Sequence, residues 1–445
     1  MEIPFLILQI LKSWWWFFLP LLLVPLAKFF YFWWLRWEIW YKKNQWILLE
    51  IKPPAEVLKP FKAMEDLITS LWGVYDTPIW RESWCEGMLP SAPFWFSMEI
   101  ASFGGEIHFY VRILDGWKNL FESAIYAHYP ETEISVVEDY TKKVPQNIPN
   151  EKWDMEGYDY GYVGGRDYIY PIKTYSAFFE KEAEETKIME EKRVDPLDSL
   201  LEALSELQSG EQFWFQIVAD PILDRDIPFE THGKEMVNRL AKRPEVKKPK
   251  PMWEEAAEIL ISGPPAEEKK EESLIAPELR LTPGEKEILQ AVERKISKYN
   301  FKVWIRGIYL YKINEPRFAN NKSILHTYFQ HFSTEHLNAI TFNRVTRTKI
   351  HYWLRKRRLY LRKRKQFRDY IERFPPYFPW NLNGNVPFVF DLIRYPKGLT
   401  KGKGIMVFSA EELASVFHFP PKITVPTMAR VEAKKAGPPS GLPTE

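Results

Sequence analysis

The sequence is poor in the residues that build disulfides and thiolate metal sites. A single cysteine, Cys85, stands among 445 residues, which excludes an internal disulfide and any zinc site made of several thiolates. No histidine lies at a spacing from Cys85 that suggests a cysteine nucleophile. His326, His331 and His336 follow one another at intervals of five, which spreads them around a helix instead of along one face. We therefore expect no metal site.

The sequence also lacks a phosphate-binding loop of the form G-x-x-x-x-G-K-[ST]. The nearest string, GLTKGKGIM at 398–406, has the wrong glycine spacing and no Ser or Thr after the lysine. Gly157, Gly161 and the pair Gly164 and Gly165 alternate with tyrosines, a pattern typical of a loop. We expect a protein that is not an enzyme and that holds no cofactor.

Aromatic residues make up 16% of the chain, with 19 tryptophans, and they crowd the N-terminus. Residues 14–35 read WWWFFLPLLLVPLAKFFYFWWL, with Lys28 as the only charge. At 1.5 Å per residue this run extends about 33 Å, slightly more than the hydrocarbon thickness of a bilayer. Tryptophans at both ends suit the two interfaces. We predict a transmembrane helix within a membrane anchor at 1–45. The anchor residues are Trp14, Trp15, Trp16, Pro20, Pro25, Trp33, Trp34 and Trp37.

The flanking charges predict the orientation of this anchor. Arg36, Lys42 and Lys43 follow the run, which favours a single pass through the cell membrane with the bulk of the chain in the cytoplasm. Pro20 and Pro25 interrupt and kink the helix, so a re-entrant hairpin is the alternative. A cleaved signal peptide fits less well, because no small-residue cleavage site follows the run.

Residues 46–150 alternate strand and helix patterns in the order of a ferredoxin-like βαββαβ module. This first module would bury the alternating apolar positions of its strands against its two helices. The predicted elements are strand 46–52, helix 60–72, strands 94–102 and 106–114 around the turn at Gly104 and Gly105, a helix after Asp115, and strand 133–139.

Residues 151–343 repeat this order and predict a second ferredoxin-like module. An insertion at 220–300 replaces its central hairpin and contains a Pro- and charge-rich stretch that we expect to be disordered. The alternative is one irregular α+β domain without a repeat. The predicted elements are strand 167–174, a helix capped by Asp195 before Pro196, strands 211–219 and 301–311, a helix at 320–332 and strand 337–342, with helical runs at 251–262 and 284–298 in the insertion.

A strongly basic helix is predicted at 344–374, where 344–373 contains 13 Lys and Arg and two acids, Asp369 and Glu372. Apolar residues recur in it at helical spacing. Three interpretations stay open: a solvated helix that faces acidic parts of its own chain, attraction to anionic lipid headgroups, and binding of a nucleic-acid backbone. The basic patch comprises Arg355, Lys356, Arg357, Arg358, Arg362, Lys363, Arg364, Lys365 and Arg368.

Residues 375–433 form a small C-terminal segment after the basic helix. The pattern IMVFS predicts a strand, and Ser409 caps a short helix with Glu411 and Glu412 in its first turn. The tail at 434–445 is small and Pro-rich, so we expect it not to fold.

Four segments together resemble a known kind of sequence: WILLEIKPPAEVLKPFKAMED (46–66), GGEIHFYVRI (104–113), YPETEISVVEDYTKKVPQNIPN (129–150) and FSAEELASVFHFP (408–420). They resemble the uncharacterised N-terminal region found ahead of conjugative, type IV secretion-like ATPases of the HerA/coupling-protein kind in uncultivated bacteria with small genomes. The resemblance extends from residue 46 to the tail.

The resemblance implies a membrane-anchored accessory or scaffold protein of a conjugation- or type IV secretion-like DNA translocation system. Because the phosphate-binding loop is missing, the ATPase would be a separately encoded partner. The other expected partners are the lipid bilayer, a DNA backbone or anionic lipid at the basic helix, and further copies of the chain.

A membrane-tethered nucleic-acid-binding protein is the second hypothesis. The βαββαβ order is also that of RNA-recognition modules, and His108 and Tyr110 would face outward from the sheet, although the basic-glycine-aromatic motif is missing. In either case the expected fold class is α+β, with an N-terminal transmembrane helix, two ferredoxin-like (βαββαβ) modules, a long basic helix and a small C-terminal αβ piece.

Overall fold

The computed structural model describes residues 2–374, except 55–56, 58–59, 77, 89–93, 164–166, 178–194, 223–226, 244–280, 317–322, 344–345 and 352, and also residues 406–420 and 427–430. Within these residues nine strands form one antiparallel sheet. The strands are β1 (Trp46–Lys52), β2 (Phe96–Phe103), β3 (Glu106–Leu114), β4 (Glu133–Val137), β5 (Trp153–Tyr162), β6 (Glu211–Pro221), β7 (Asn300–Lys312), β8 (Ile340–Phe342) and β9 (Met406–Ser409). The α-helices are α1 (Glu2–Trp34), α2 (Pro60–Leu71), α3 (Lys118–His128), α4 (Pro196–Ser205), α5 (Phe229–Leu240), α6 (Pro283–Ile296), α7 (Ile324–Gln330), α8 (Arg355–Glu372) and α9 (Ala410–Val416).

The sheet has the strand order β4-β1-β3-β2-β6-β7-β5-β8, and β9 pairs with β7 beside this path. The first four strands and the next four meet where β2 pairs with β6, from Phe96 opposite Ala219 to Phe103 opposite Gln212. Without this pairing each strand would be an edge with unpaired backbone N–H and C=O groups. The β2–β6 pairing therefore joins the two halves of the chain into one sheet.

The predicted fold class is wrong. It places a transmembrane helix before two small ferredoxin-like modules. In the structure, the strands of both predicted modules pair side by side in one large sheet. The alternation of side chains that predicts a strand carries no information on which strand edges pair. The predicted small C-terminal piece also belongs to this sheet, because β9 pairs with β7 from Asn300 opposite Ser409 to Val303 opposite Met406.

The strand that opens the second half lies upstream of the predicted one. Residues 167–174 contain turns and irregular backbone, while β5 occupies the glycine- and tyrosine-rich stretch that the sequence pattern assigns to a loop. A Cβ at Gly157 in β5 would come within 2.8 Å of Gln366 Oε1. The glycine therefore lets a helix pack closely on the strand, and its presence does not mark a loop.

The predicted insertion contains one helix that the sequence pattern misses and one that it predicts. The sequence pattern predicts no helix at the position of α5. It predicts a helix at 284–298, where the structure has α6 at Pro283–Ile296. A capping box between Thr282 and Glu285 starts α6. The predicted helical run 251–262 and the Pro- and charge-rich stretch lie outside the described residues.

Helix α1 contains the aromatic run of the predicted anchor. Its non-helical dihedral angles lie at Trp14, whereas the kink was predicted at Pro20 and Pro25. Among the helices of the described residues, none combines the length and the mean hydropathy that a bilayer crossing needs. The predicted transmembrane helix is therefore wrong, and so is the single-pass membrane localisation. The run contains five Trp and one Tyr, whose N–H and O–H groups make it less apolar than an aliphatic segment of equal length.

Helices and sheet enclose two cores on opposite faces of the central strands. On one face, apolar residues of α2, α4, α7 and α9 pack against β2 and β6, with Phe215 fully buried among them. On the other face, α8 and the segment around Tyr140 cover Tyr110, Trp214 and Ile308. A third core joins α5 and α6 to Val407 of β9. The centre of the sheet is thus covered on both faces.

The β2–β3 turn supplies a test of this packing. Gly105 has φ +94°, and a Cβ there would lie 2.5 Å from the Ser205 carbonyl oxygen at the end of α4. We expect Gly105→Ala to lower the free energy of unfolding by about 2–4 kcal/mol, through the left-handed backbone and the clash. Chemical denaturation measures the change. Gly116→Ala is the control, because an added Cβ there meets no atom of the described residues within 4 Å, and equal losses in both variants would contradict this account.

Candidate nucleic-acid interface

The basic helix (α8, Arg355–Glu372) is shorter than the segment predicted at 344–374. It begins after Leu354, whose left-handed backbone (φ 56°) turns the preceding chain away from the helix axis. It ends at Arg373, which is also left-handed (φ 53°). Residues 346–351 upstream contain turns and irregular backbone, and Thr348 Oγ1 accepts a hydrogen bond of 3.1 Å from the backbone N–H of Gly157.

The C-terminal half of the basic helix is docked on the sheet. Its buried residues, Lys363, Gln366, Phe367 and Tyr370, are spaced three and four apart and form one stripe. Trp214 of β6 lies beneath this stripe, with its ring centroid 6.3 Å from that of Phe367 and 5.5 Å from that of Tyr370. We call residues 363–372 the docked half.

Lys363 belongs to the docking contact. Its Nζ lies 2.6 Å from Asp154 Oδ1 on β5, and its side chain is buried. The structure therefore separates Lys363 from the other members of the predicted basic patch, because its charge is already paired inside the protein.

A buried ionic network holds the end of the docked half. Arg373 Nε donates to Glu99 Oε1 at 2.6 Å, and its Nη1 donates to Asp139 Oδ2 at 2.5 Å. Tyr140 Oη donates to Glu99 Oε2 at 2.7 Å, and Gln216 Nε2 donates to Glu99 Oε1 at 3.0 Å. Glu99 and Arg373 are almost fully buried. The Glu99 carboxylate and the Arg373 guanidinium are thus paired with each other and also bonded to the segment after β4, and Glu99 accepts a further hydrogen bond from β6.

The network stabilises the charged forms of its members. Burial alone would lower the pKa of Arg373, but Glu99 and Asp139 together hold it well above its usual range. Burial would raise the pKa of Asp139, yet the contact with Arg373 and the hydrogen bonds from Thr141 lower it. Each charge is therefore stable in the interior because its partner is in place.

The N-terminal half of the basic helix projects from the sheet. Arg355, Lys356, Arg357 and Arg358 point in the four directions around the helix axis, and all four are exposed. A helix packed along its length would bury at least one residue of each turn. The first turn therefore stands clear of the body, and we call residues 355–362, which begin with this turn, the projecting half.

The first turn of the projecting half concentrates positive charge. It contains four cationic side chains and no acid, and Leu354 has no side-chain oxygen to cap the helix. The unpaired N–H groups and the macrodipole make this end of a helix positive already. Cations at this position destabilise a helix slightly, so their arrangement favours an anionic partner over the stability of the chain.

The other basic residues line the outer side of the helix. Arg362 donates to the Arg347 carbonyl at 2.8 Å, and Arg364 donates to the Gln146 carbonyl at 3.2 Å. Lys365 is exposed. Arg368 lies 3.9 Å from Asp369 and 4.0 Å from Glu372, at the exposed surface. The positive surface thus continues from the projecting half along the docked half and weakens toward Glu372.

The predicted anchor residues lie on α1 and on the turn that follows it. Trp14, Trp15, Trp16, Trp33 and Trp34 are exposed on α1, as is Pro20. Trp37 lies in a π-helical turn (Leu35–Tyr41) that follows α1, with its ring centroid 4.8 Å from that of Phe374. The π-helical turn after α1 therefore meets the end of the basic helix at Trp37 and Phe374, next to the buried network. Pro25 lies within α1.

Sequence reasoning missed the acids that position the basic helix. Glu99, Asp139 and Asp154 lie on or beside three different strands, and no motif connects them. Glu99 does interrupt the apolar strand FWFSMEIAS, and a lone acid in a fully buried strand indicates a buried partner. Within the residues that the structure describes, no group of His, Cys, Asp and Glu is arranged to hold a metal ion.

No protein-family profile matches the chain, and no curated protein is detectably similar to it. The resemblance to the region ahead of secretion-like ATPases stays a prediction. The functional argument therefore rests on the geometry of the basic helix.

Breaking the buried network tests how the docked half is held. We expect Arg373→Met to lower the free energy of unfolding by about 3–5 kcal/mol, because Glu99 would keep a buried charge without its main partner. Denaturant unfolding measures the loss. Arg368→Met, on the same helix but exposed, should change stability by less than about 0.5 kcal/mol. Similar values for both variants would show that the network does not hold the helix.

Asp159 on β5 makes stability depend on pH. Burial raises its pKa from 3.8 to about 6, against the lowering effect of Arg306 and with a further rise from Asp369 on the basic helix. Arg306 Nε lies 4.0 Å from Asp159 Oδ1, too far for a direct hydrogen bond. Hydrogen bonds with Thr346 and Gln366 also lower this pKa, but burial has the larger effect. The folded state therefore binds the proton more tightly than the unfolded state does.

Stability contributed by Asp159 is present below pH 4 and is lost as the pH rises through 6, because the unfolded chain releases this proton first. We compare the free energy of unfolding of Asp159→Asn with that of the natural chain at each pH. The variant's advantage should be about 2–3 kcal/mol larger at pH 7 than at pH 4. Urea unfolding of both proteins at both pH values measures this change. The other titrating groups are the same in both proteins, so their contributions cancel. A difference that is the same at both pH values would contradict the raised pKa.

Proposed function

We propose that this chain is a non-enzymatic nucleic-acid-binding scaffold, and that the basic helix holds the phosphate backbone without reading the base sequence. The observation that carries the proposal is the projecting half, in which four adjacent cations surround the first turn of the helix and all four are exposed. The docked half supports it, because Lys363 and Arg373 attach the helix to the sheet through buried ion pairs.

The length of the positive surface favours a polymer over a small anion. Arg357, Arg364, Lys365 and Arg368 recur on the outer side of the helix, and 11 steps of 1.5 Å separate the first from the last by about 16 Å. Along one DNA strand a phosphate recurs about every 3.4 Å of duplex axis. A row of this length therefore faces several phosphates, whereas a small anion would occupy one end of it.

The distribution of charge supports the same conclusion. The whole chain has a net charge of +2, although 344–373 alone contains 13 basic and two acidic residues. The remainder of the chain is therefore acidic. A polyanion would be repelled by most of the surface and directed to the basic helix.

The role in a DNA translocation system is an additional proposal that rests on the sequence resemblance. In it the sheet is the rigid support, the basic helix contacts the DNA, and a separately encoded ATPase supplies the motor. The nucleic-acid-binding helix fits this role because a scaffold for DNA transport needs a contact that tolerates every sequence.

A salt titration of DNA binding tests the interface. The test variant is Arg355→Gln, Lys356→Gln, Arg357→Gln in one chain, studied by fluorescence anisotropy with a labelled duplex. We expect the magnitude of the slope of log Kd against log salt concentration to fall by about 2–3, since each phosphate contact contributes about 0.9. The folded state should not be weakened, because cations are removed from the positive end of a helix.

The matched control removes the same charge elsewhere. Lys62, Lys234 and Lys242 are exposed and form surface ion pairs, which contribute little to stability. Their triple replacement by Gln should change Kd by less than about threefold. An equal loss in both variants, or no binding by the natural chain at low salt, would overturn the proposal. Binding to anionic vesicles but not to DNA would favour the lipid interpretation instead.

A further inference from the structure

The projecting half carries aromatic rings as well as charge. Trp353, next to the start of the basic helix, is 72% exposed, and Tyr360 within the projecting half is 48% exposed. Contacts with phosphates make no use of such rings. These rings differ from other exposed aromatic side chains in lying beside the cations of the helix, and an aromatic ring next to positive charge suits a ligand that has both bases and phosphates.

Trp353 is held in a defined place. The Arg358 guanidinium carbon lies 5.3 Å from the centroid of its ring, a distance typical of a cation–π contact. Leu354 between the ring and the helix has φ 56°, a conformation that a branched side chain seldom adopts. The backbone N–H of Arg358 donates to the Leu354 carbonyl at 3.0 Å and fixes this bend. The chain thus keeps a strained residue that places an indole beside the cations.

We propose that the projecting half binds single-stranded nucleic acid in preference to duplex, with a base stacked on Trp353 and the flanking phosphates on Arg355, Lys356 and Arg357. This inference rests on the proposed function and names the form of nucleic acid. In a duplex both faces of every base are occupied by neighbouring bases, so the indole finds no surface to cover. In a single strand the base faces are open, and stacking of a base on an aromatic ring tolerates any sequence.

The positions of the groups fit this mode of binding. The ring can stack on a base while the consecutive cations face the phosphates on either side of it. Proteins that bind single strands without sequence preference combine a positively charged groove with aromatic rings in the same way. Tyr360 offers a second ring about two turns further along the helix. Arg358 faces Trp353, so its charge also lies next to the stacked base.

The experiment compares three ligands of equal length at one salt concentration: a 20-nucleotide oligo(dT), a 20-base-pair duplex, and a 20-unit abasic strand that has the phosphates without the bases. The natural chain should bind oligo(dT) at least fivefold more tightly than either other ligand. For Trp353→Ala the affinity for oligo(dT) should fall by about 5- to 150-fold, and the affinity for the duplex by less than twofold.

Two variants control for exposure and for aromatic character. Trp80 is 70% exposed and lies against Trp84, which packs on Phe32 of α1, so Trp80→Ala should leave all three affinities unchanged. Trp353→Phe keeps a ring and should remain within about threefold of the natural chain on oligo(dT). Because Trp353 is exposed, its variants should unfold at the same temperature as the natural chain.

Three results would overturn the inference: equal affinity of the natural chain for oligo(dT) and for the abasic strand, equal losses on oligo(dT) and duplex in Trp353→Ala, or no loss at all. Each of these leaves the proposed function intact if Arg355→Gln, Lys356→Gln, Arg357→Gln still weakens binding to every ligand. If the triple variant binds all ligands as the natural chain does, the proposed function fails, whatever Trp353 contributes.

Discussion

Arg373 makes two ionic contacts at once, with Glu99 and with Asp139, where the end of the basic helix meets the sheet. A charge buried in this way is tolerated only when its partners are complete. The three residues come from β2, from the segment after β4 and from the end of the basic helix, so the contact exists only in the assembled fold. It therefore links the position of the basic helix to the centre of the sheet.

The docked half determines what the projecting half can do. Gly157 allows Gln366 to approach β5, Lys363 pairs with Asp154, and Phe367 covers Trp214. These contacts fix the direction of the helix axis. The cations of the first turn consequently project into solvent from a rigid support.

The joining of the two halves of the sheet has a similar consequence for the rest of the molecule. Because β2 pairs with β6 along the whole length of β2, the strands that support the basic helix belong to the same sheet as those that pack against α2. The aromatic cluster of Trp40, Trp95 and Phe374 then attaches the end of α1 to the end of the basic helix. The aromatic N-terminal helix and the basic helix thus share one packing region.

The sequence by itself determined most of the local elements. Helix α4 follows the capping signal at Asp195, β7 lies where the strand 301–311 is predicted, and Ser409 caps the last helix as the pattern indicates. These features depend on side chains a few residues apart, and such local order is written directly into the sequence. The concentration of positive charge at 355–368 is equally a property of the sequence alone.

Only the tertiary structure decided how these elements combine and which charges face water. The pairing of the β2 edge with the β6 edge is made by backbone N–H and C=O groups. Because nearly every residue has these groups, no side-chain pattern predicts the pairing. Lys363 and Lys356 look alike in the sequence and lie about two turns apart on one face of the helix, yet Lys363 is paired with Asp154 on β5 and Lys356 is exposed. Only the packing of the helix on the sheet divides it into a docked half and a projecting half.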